Sequence, residues 1–124
     1  MAESINSKPI VLVVEDESLL RANAVEMIEA AGFFVLEAAS ADEAIEILES
    51  RNDIRVVFTD IQMPGSMDGL KLARAVRGRW PPIEIITTSG HLTVGPEDLP
   101  ERGRFVAKPY SPAQIAAALS ELIA

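Results

Sequence analysis

Short, wholly apolar runs alternate along the chain with longer amphipathic segments. The run Ile10–Val14 is rich in β-branched residues and has no polar position, which is typical of a strand covered on both faces. Four further strands are predicted, at Phe33–Glu37, Ile54–Thr59, Ile83–Thr87 and Arg104–Ala107. Because strands that alternate with helices pair in parallel through right-handed crossovers, the pattern predicts an α/β fold with helices on both faces of one sheet.

The helices are predicted from apolar spacing and from residues that favour helix ends. Apolar residues recur at helical spacing over Glu17–Ala31, and Gly32 stands where a helix C-terminus is commonly closed. Ser40-Ala41-Asp42-Glu43 is a capping box, and Asp68 is predicted to cap the helix that follows the third strand. A second capping box, Ser111-Pro112-Ala113-Gln114, precedes the most regular apolar stripe of the chain.

The crossover between the fourth and fifth strands differs from the others. The segment Ser89–Gly103 contains three glycines and two prolines and few large apolar residues. Glycine leaves the backbone free and proline interrupts a helix, so at most a turn or two of helix is predicted there. We expect this segment to lie at the low-stability end of the molecule.

Composition and charge narrow the function further. The 124 residues include 11 Lys or Arg and 19 Asp or Glu, so the formal net charge is −8, which argues against a nucleic-acid partner. The absence of Cys and the single His exclude disulfides, zinc–thiolate sites, iron–sulfur clusters and multi-histidine metal sites. No apolar run approaches the roughly 20 residues of a membrane span, and no secretion signal is recognisable. We therefore expect one soluble, cytoplasmic domain.

Polar residues follow four of the five predicted strands. Glu15 and Asp16 follow the first strand, Asp60 the third, Thr88 the fourth and Lys108 the fifth. Ligand sites of such sheets lie beyond the carboxyl ends of the strands, so these side chains are expected to converge. Three packed carboxylates repel one another unless a cation lies among them, and oxygen ligands favour Mg²⁺. A phosphoryl group could bridge the metal, the lysine and the hydroxyl, and one carboxylate could be the nucleophile that accepts it.

From Ile10 to Ile123 the chain resembles the response-regulator receiver domain of two-component signalling (CheY-like). The matching motifs are Val11–Glu17, Phe58–Pro64, Met67–Gly69, Thr88–Gly90 and Lys108-Pro109. The resemblance implies a three-layer, doubly wound (βα)5 sandwich whose parallel sheet has the flavodoxin-like order 2-1-3-4-5. We expect a single receiver domain over 1–124, with its core at about 9–123 and no output domain.

The family's motifs imply roles for the metal site and for the phospho-acceptor. Asp60 matches the aspartate that takes a phosphoryl group from a phosphohistidine on a sensor kinase or a histidine phosphotransfer protein. Asp16 matches the acidic residue that ligates Mg²⁺ directly, and Glu15 matches its neighbour, which often acts through a metal-bound water. Gln62 matches the position whose backbone carbonyl binds the metal.

The family also implies a switch. Lys108 matches the lysine that pairs with the acceptor carboxylate and then with the phosphoryl oxygens, and its bond to Pro109 is expected to be cis. Thr88 matches the hydroxyl that moves onto the phosphoryl group, and Phe105 matches the switch aromatic, although a core aromatic is an equal alternative at that position. We expect the Ser89–Gly103 segment to become ordered on phosphorylation. The extra residue in Gly65-Ser66 departs from the family pattern near Asp60.

Two other functions are compatible with parts of the sequence. A small aspartyl-phosphate hydrolase also places an aspartate after a parallel strand, but it usually has a second acid where this chain has Gln62. A flavin-binding flavodoxin requires a phosphate loop after the first strand, where Glu15-Asp16-Glu17 would repel a phosphate. For the receiver we expect partnership with a kinase or phosphotransfer protein, an unknown protein effector, neither nucleic acid nor membrane, and a monomer or weak dimer.

Overall fold

The five predicted strands form one parallel sheet in a computed structural model that describes residues 8–65, 67–91 and 94–123. Its strand order, β2-β1-β3-β4-β5, confirms the predicted order. The strands are β1 (Ile10–Val14), β2 (Phe34–Ala38), β3 (Ile54–Asp60), β4 (Glu84–Ser89) and β5 (Gly103–Ala107). β1 lies where the sequence predicted it, whereas β2 and β4 are displaced towards the C-terminus by one or two residues.

Three α-helices and one short 3₁₀ helix connect the strands within the described part of the chain, and a fourth α-helix follows the last strand. They are α1 (Ser18–Ala30), α2 (Ala41–Ser50), α3 (Gly69–Arg79), the 3₁₀ helix Pro96–Asp98 and α4 (Pro112–Ile123). The (βα)5 pattern therefore holds except between β4 and β5, where the glycines and prolines left only a three-residue helix among the described residues. Leu92, which belongs to the segment expected to be mobile, lies outside the described residues.

The helix-end signals operate as the sequence predicted, with one difference. Gly32 follows α1 with φ +102°, the left-handed conformation that favours glycine. Asp68 caps α3 by accepting from the Lys71 N–H at 2.9 Å. The Ser40 hydroxyl accepts from the Glu43 N–H at 3.1 Å, but the glutamate reaches back to the N–H of Ala39 and not to that of Ser40.

Apolar side chains from the two faces of the sheet form two core layers. Along β1, Val11 and Val13 pack with α1 and α4, while Leu12 and Val14 pack with α2 and α3. All four valine and leucine side chains are fully buried. The sheet is thus covered on both faces, which confirms the three-layer architecture.

Two arginines of α3 hold the crossover that precedes β5. Arg74 Nη2 donates to the carbonyl oxygen of Asp98 at 3.2 Å, and Arg77 Nε donates to that of Glu101 at 2.8 Å. Arg77 Nη1 also donates to the carbonyl oxygens of Pro81 and Ile83. Side chains of α3 therefore hold the backbone of the second half of this crossover. The sequence pattern did not predict this attachment.

Candidate functional site

Three carboxylates meet at the carboxyl end of the sheet. Glu15 and Asp16 lie just past β1, and Asp60 is the last residue of the neighbouring strand β3. One carboxylate oxygen from each lies within 4.8 Å of the others. Glu15 and Asp60 are buried, with 6% and 7% exposure, whereas Asp16 is exposed. The predicted acidic cluster therefore exists, and Asp16 is its member open to solvent.

Lys108 is the cation that faces this cluster. Its Nζ lies 3.1 Å from Glu15 Oε1 and 3.2 Å from Asp60 Oδ1. Its N–H donates to the Ser89 carbonyl at 3.0 Å, which extends the β4–β5 pairing, and the following peptide bond to Pro109 is cis, as predicted. A side chain at Gly90 would meet Lys108, because a Cβ there would lie 3.6 Å from the Lys108 Cβ.

Burial and charge act on these groups in opposite directions. Burial raises the pKa of Asp60, the Lys108 ammonium opposes that effect, and the Asp16 charge adds to it, so the net direction is upward. Burial likewise raises the pKa of Glu15 against the hydrogen bond from Lys108. For Lys108, burial lowers the pKa, but the bond to Glu15 and the charges of Asp60 and Glu15 outweigh it and raise it. Burial is therefore the main reason that the pKa values of Glu15 and Asp60 are raised, and Lys108 does not fully offset it.

This donor set fits a divalent cation. Counted at their formal charges, three carboxylates and one ammonium leave two uncompensated negative charges, and every ligand atom that the cluster offers is a carboxylate oxygen. Oxygen donors without His or Cys favour Mg²⁺ over softer metals. The exposed Asp16 gives a hydrated ion access from solvent, and Mg²⁺ commonly keeps several of its waters.

The backbone of Asp60 and Ile61 is in direct contact with the start of α3. Gly69 N–H donates to the Ile61 carbonyl at 2.8 Å. A Cβ at Gly69 would lie 2.7 Å from the Ile61 Cα and closer still to the Asp60 carbonyl oxygen. Only glycine fits this approach. The sequence indicated Gly69 only as part of a helix start and of the family motif Met67–Gly69, since no local pattern reveals such a long-range contact.

The predicted switch residues lie on β4 and β5. Thr88 is 1% exposed and is the register partner of both Asp60 on β3 and Val106 on β5. Phe105 is half-buried and belongs to neither core layer of the described chain, so its alternative role as a core aromatic is not supported. It lies in an open groove between β5 and α4 together with Gln114.

Gln62 and Ser89 complete the surroundings of Asp60. Gln62 is exposed two residues beyond Asp60. Ser89, which the sequence reasoning passed over in favour of Thr88, is 2% exposed, and its hydroxyl accepts from the His91 N–H at 3.1 Å. The sequence could have indicated Ser89, because it is a second hydroxyl residue directly after Thr88. The loop after Gln62 turns at Gly65 (φ +110°), while Ser66 lies outside the described residues.

Sequence comparisons relate the chain to one family. A model of the response regulator receiver domain family matches residues 11–120. The sensor kinase CckA of Brucella abortus (strain 2308) is 35% identical over 98% of this chain and 13% of its own length. The C4-dicarboxylate transport transcriptional regulatory protein DctD of Rhizobium meliloti (strain 1021) is 34% identical over 86% of this chain and 24% of its own. The chain thus spans a quarter or less of the length of these two relatives.

Solved structures of receiver proteins superpose closely on the chain. A response regulator receiver protein from Sinorhizobium medicae WSM419 gives a TM-score of 0.86 at 31% identity and covers 93% of this chain and 94% of its own. The receiver domain of the hybrid histidine kinase CckA gives a TM-score of 0.78 at 30% identity, and the match covers 93% of this chain and 99% of that domain. No helix in the described part of the chain is long and apolar enough to cross a membrane. The acidic cluster, the facing lysine, the sheet order and these matches show that the chain belongs to the response-regulator receiver domain family of two-component systems.

Proposed function

We propose that the chain accepts a phosphoryl group on Asp60 from a phosphohistidine and acts as a phosphorylation-dependent switch. One observation carries this proposal: the buried Asp60 carboxylate lies 3.2 Å from Lys108 Nζ and within 4.8 Å of two further carboxylates. A carboxylate that is close to both a cation and a metal-binding cluster is suited to nucleophilic attack on a phosphoryl group.

The transfer is an in-line displacement at phosphorus. A carboxylate oxygen of Asp60 attacks, the bond from phosphorus to the donor's imidazole nitrogen breaks, and its electron pair stays with the imidazole, which takes a proton from solvent. Lys108 already contacts the Asp60 carboxylate, so its ammonium is placed to pair with a phosphoryl oxygen once the acyl phosphate forms. Attack of water on the same phosphorus releases phosphate and resets Asp60.

The metal-binding role falls to residues around the acceptor. Asp16, Asp60 and the backbone carbonyl of Gln62 would hold Mg²⁺ directly, and Glu15 would act through a bound water. When bound, Mg²⁺ supplies positive charge that offsets the charge of the phosphoryl oxygens. An indirect role suits Glu15 better than direct ligation, because both of its carboxylate oxygens have partners: Oε1 pairs with Lys108 at 3.1 Å and Oε2 accepts from the Glu17 N–H at 3.2 Å.

The response to phosphorylation is assigned to the end of β4 and to β5. We place the responding hydroxyl at Thr88 and the responding aromatic ring at Phe105, which is half-buried and free of both core layers of the described chain. Since Thr88 and Ser89 are adjacent and both buried, paired variants are needed to assign the hydroxyl.

The donor is proposed to be a sensor histidine kinase or a histidine phosphotransfer protein, and the site is proposed to work in the cytoplasm. The similarity to the receiver domain of the hybrid histidine kinase CckA supports a donor of this class. The hydrolase alternative is less well supported, because the amide of Gln62 cannot serve as the second acid.

Phosphorylation by acetyl phosphate tests the proposal without requiring the native kinase. Intact-mass analysis with Mg²⁺ is expected to show one added phosphoryl group that is stable in acid and lost in base. Asp60→Asn should abolish it, whereas Asp53→Asn, which changes an exposed aspartate at the opposite end of β3, should leave it intact. Labelling of Asp60→Asn as complete as that of the wild type would contradict the proposal.

A further inference from the structure

Arg21 of α1 joins the loop that carries two site carboxylates to the edge strand β2. Its Nη1 donates to the backbone carbonyl of Glu15 at 2.9 Å, and its Nε donates to Glu37 Oε1 at 3.1 Å. The Arg21 side chain is 21% exposed, against 51% for Glu37. The guanidinium is therefore largely covered where it contacts the loop between β1 and α1, so the contact is more than a solvent-exposed ion pair.

Each polar group of Glu15 has a partner within the described part of the chain. Its N–H donates to the Ala38 carbonyl at 3.1 Å, its Oε1 pairs with Lys108, and its Oε2 accepts from the Glu17 N–H at 3.2 Å. Arg21 holds the remaining group, the carbonyl. Because the peptide group is planar, fixing this carbonyl also fixes the direction in which the chain continues into the next residue, Asp16.

We propose that Arg21 is a positioning residue for the metal site. By holding the Glu15 carbonyl, it aims the exposed Asp16 carboxylate at the point that Glu15 and Asp60 share. This inference rests on the proposed function, because it requires Mg²⁺ to bind at the acidic cluster. The residue itself does not touch the metal or the phosphoryl group and acts through the backbone of the loop.

Charge and positioning predict opposite effects of removing Arg21. The guanidinium is a positive charge beside the acidic cluster, so on charge alone its removal would strengthen the binding of a cation. If Arg21 acts by holding the Glu15 carbonyl, its removal releases Asp16 and weakens that binding. The sign of the change in Mg²⁺ affinity therefore separates the two roles.

The test is a titration of the whole chain with MgCl₂ alone, followed by calorimetry or amide chemical shifts. Arg21→Met keeps the apolar stem and removes the charge, while Arg21→Lys keeps the charge and cannot reproduce the two-point contact. Loss of a residue that orients a metal ligand typically costs 10–100-fold in affinity, so we expect about tenfold weaker binding for Arg21→Met. Arg51→Met is the matched control, because Arg51 is also in an ion pair, with Asp53, but lies at the opposite end of the sheet.

Each outcome has a defined meaning. Weaker binding by both Arg21→Met and Arg21→Lys supports the proposal, provided that Arg51→Met binds as the wild type does. Binding by Arg21→Met that is as tight as or tighter than that of the wild type overturns it and leaves the proposed function intact. A wild-type chain that does not bind Mg²⁺ overturns both. If Arg21→Met does not fold, Arg21→Lys carries the test alone, and wild-type affinity in that variant overturns the proposal.

Discussion

Two glycines of α3 are predicted to respond in opposite ways to substitution by alanine. At Gly69 a Cβ would lie 2.7 Å from the Ile61 Cα and closer still to the Asp60 carbonyl oxygen, whereas at Gly78 it would meet nothing within 4 Å. Both residues belong to the same helix, so helix propensity favours alanine at both. The difference between the two variants therefore measures the contact between α3 and the backbone of Asp60 and Ile61.

The magnitude follows from the geometry. Carbon atoms pack at about 3.5–4.0 Å, so the start of α3 must shift by roughly 1 Å in Gly69→Ala, against backbone that cannot rotate away. Overpacking of this kind costs about 1–3 kcal/mol. The shift also distorts the hydrogen bond from the Gly69 N–H to the Ile61 carbonyl, which adds about 1 kcal/mol. We expect a loss of about 2–4 kcal/mol of unfolding free energy. Gly78→Ala should gain about 0.5 kcal/mol, because the helix is near its end there.

Urea unfolding without metal, followed by the fluorescence of Trp80, measures both changes. Trp80 is the only tryptophan, follows α3 directly and packs against the core layer that α3 shares. The rate of phosphorylation by acetyl phosphate should fall in Gly69→Ala, since the shift displaces the Asp60 backbone, and should stay unchanged in Gly78→Ala. Wild-type stability and rate in Gly69→Ala would refute the reasoning.

Three further predictions concern the site itself. Asp16→Asn should weaken Mg²⁺ binding in a calorimetric titration, yet melt higher than the wild type without metal, because it removes a charge that opposes ionisation of Asp60; a lower metal-free melting temperature would contradict this. Because the pKa values of Glu15 and Asp60 are raised above their ordinary 4.5 and 3.8, the unfolded chain loses these protons first. The stability that these two carboxyl groups contribute without metal should therefore be lost as the pH rises from the ordinary values through the raised pKa values. In Asp60→Asn the midpoint of urea unfolding should depend less on pH over the same range. An equal slope of midpoint against pH in the variant and the wild type would be evidence against the raised pKa of Asp60. Thr88→Val should slow phosphorylation by acetyl phosphate more than Ser89→Ala does; the reverse order would assign the hydroxyl to Ser89.

The sheet and its helix ends were predictable because their signals are local. β1 was predicted without error because Ile10–Val14 is apolar throughout, and the helix caps at Ser40 and Asp68 use residues within three positions of the cap. The end of β4 was missed by two residues. Its polar Thr88 and Ser89 resemble a loop in sequence, yet pairing with β3 and β5 carries the strand through them.

The contacts that shape the site were predictable only where a general rule for parallel sheets or the family resemblance supplied them. The convergence of Glu15, Asp60 and Lys108 followed from the rule that parallel strands end at one edge. The contact of Arg21 with the Glu15 carbonyl had no such signal, because the acceptor is a backbone atom whose position depends on the loop. Arg77 is a similar case, with its partner Glu101 lying 24 residues further along the chain.

The contacts of Arg74 and Arg77 also bear on Ser89–Gly103, the segment predicted to have low stability. The sequence placed all of Ser89–Gly103 at low stability, but Arg74 and Arg77 hold the carbonyls of Asp98 and Glu101. Ordering of the segment on phosphorylation stays a prediction, and we expect it to concern the residues before Asp98 more than those after it. Hydrogen exchange of the phosphorylated and resting protein would measure the difference, and equal changes on both sides of Asp98 would contradict it.

The central claim is that Asp60 is the phospho-acceptor and that its reaction depends on Mg²⁺ held by the acidic cluster. The most direct measurement is intact-mass analysis of the wild type, Asp60→Asn and Asp53→Asn after reaction with acetyl phosphate, each with MgCl₂ and with EDTA. We predict one phosphoryl group on the wild type and on Asp53→Asn with MgCl₂, and none on Asp60→Asn or on any protein in EDTA. Equal phosphorylation of Asp60→Asn, or phosphorylation that is unaffected by EDTA, would contradict the account.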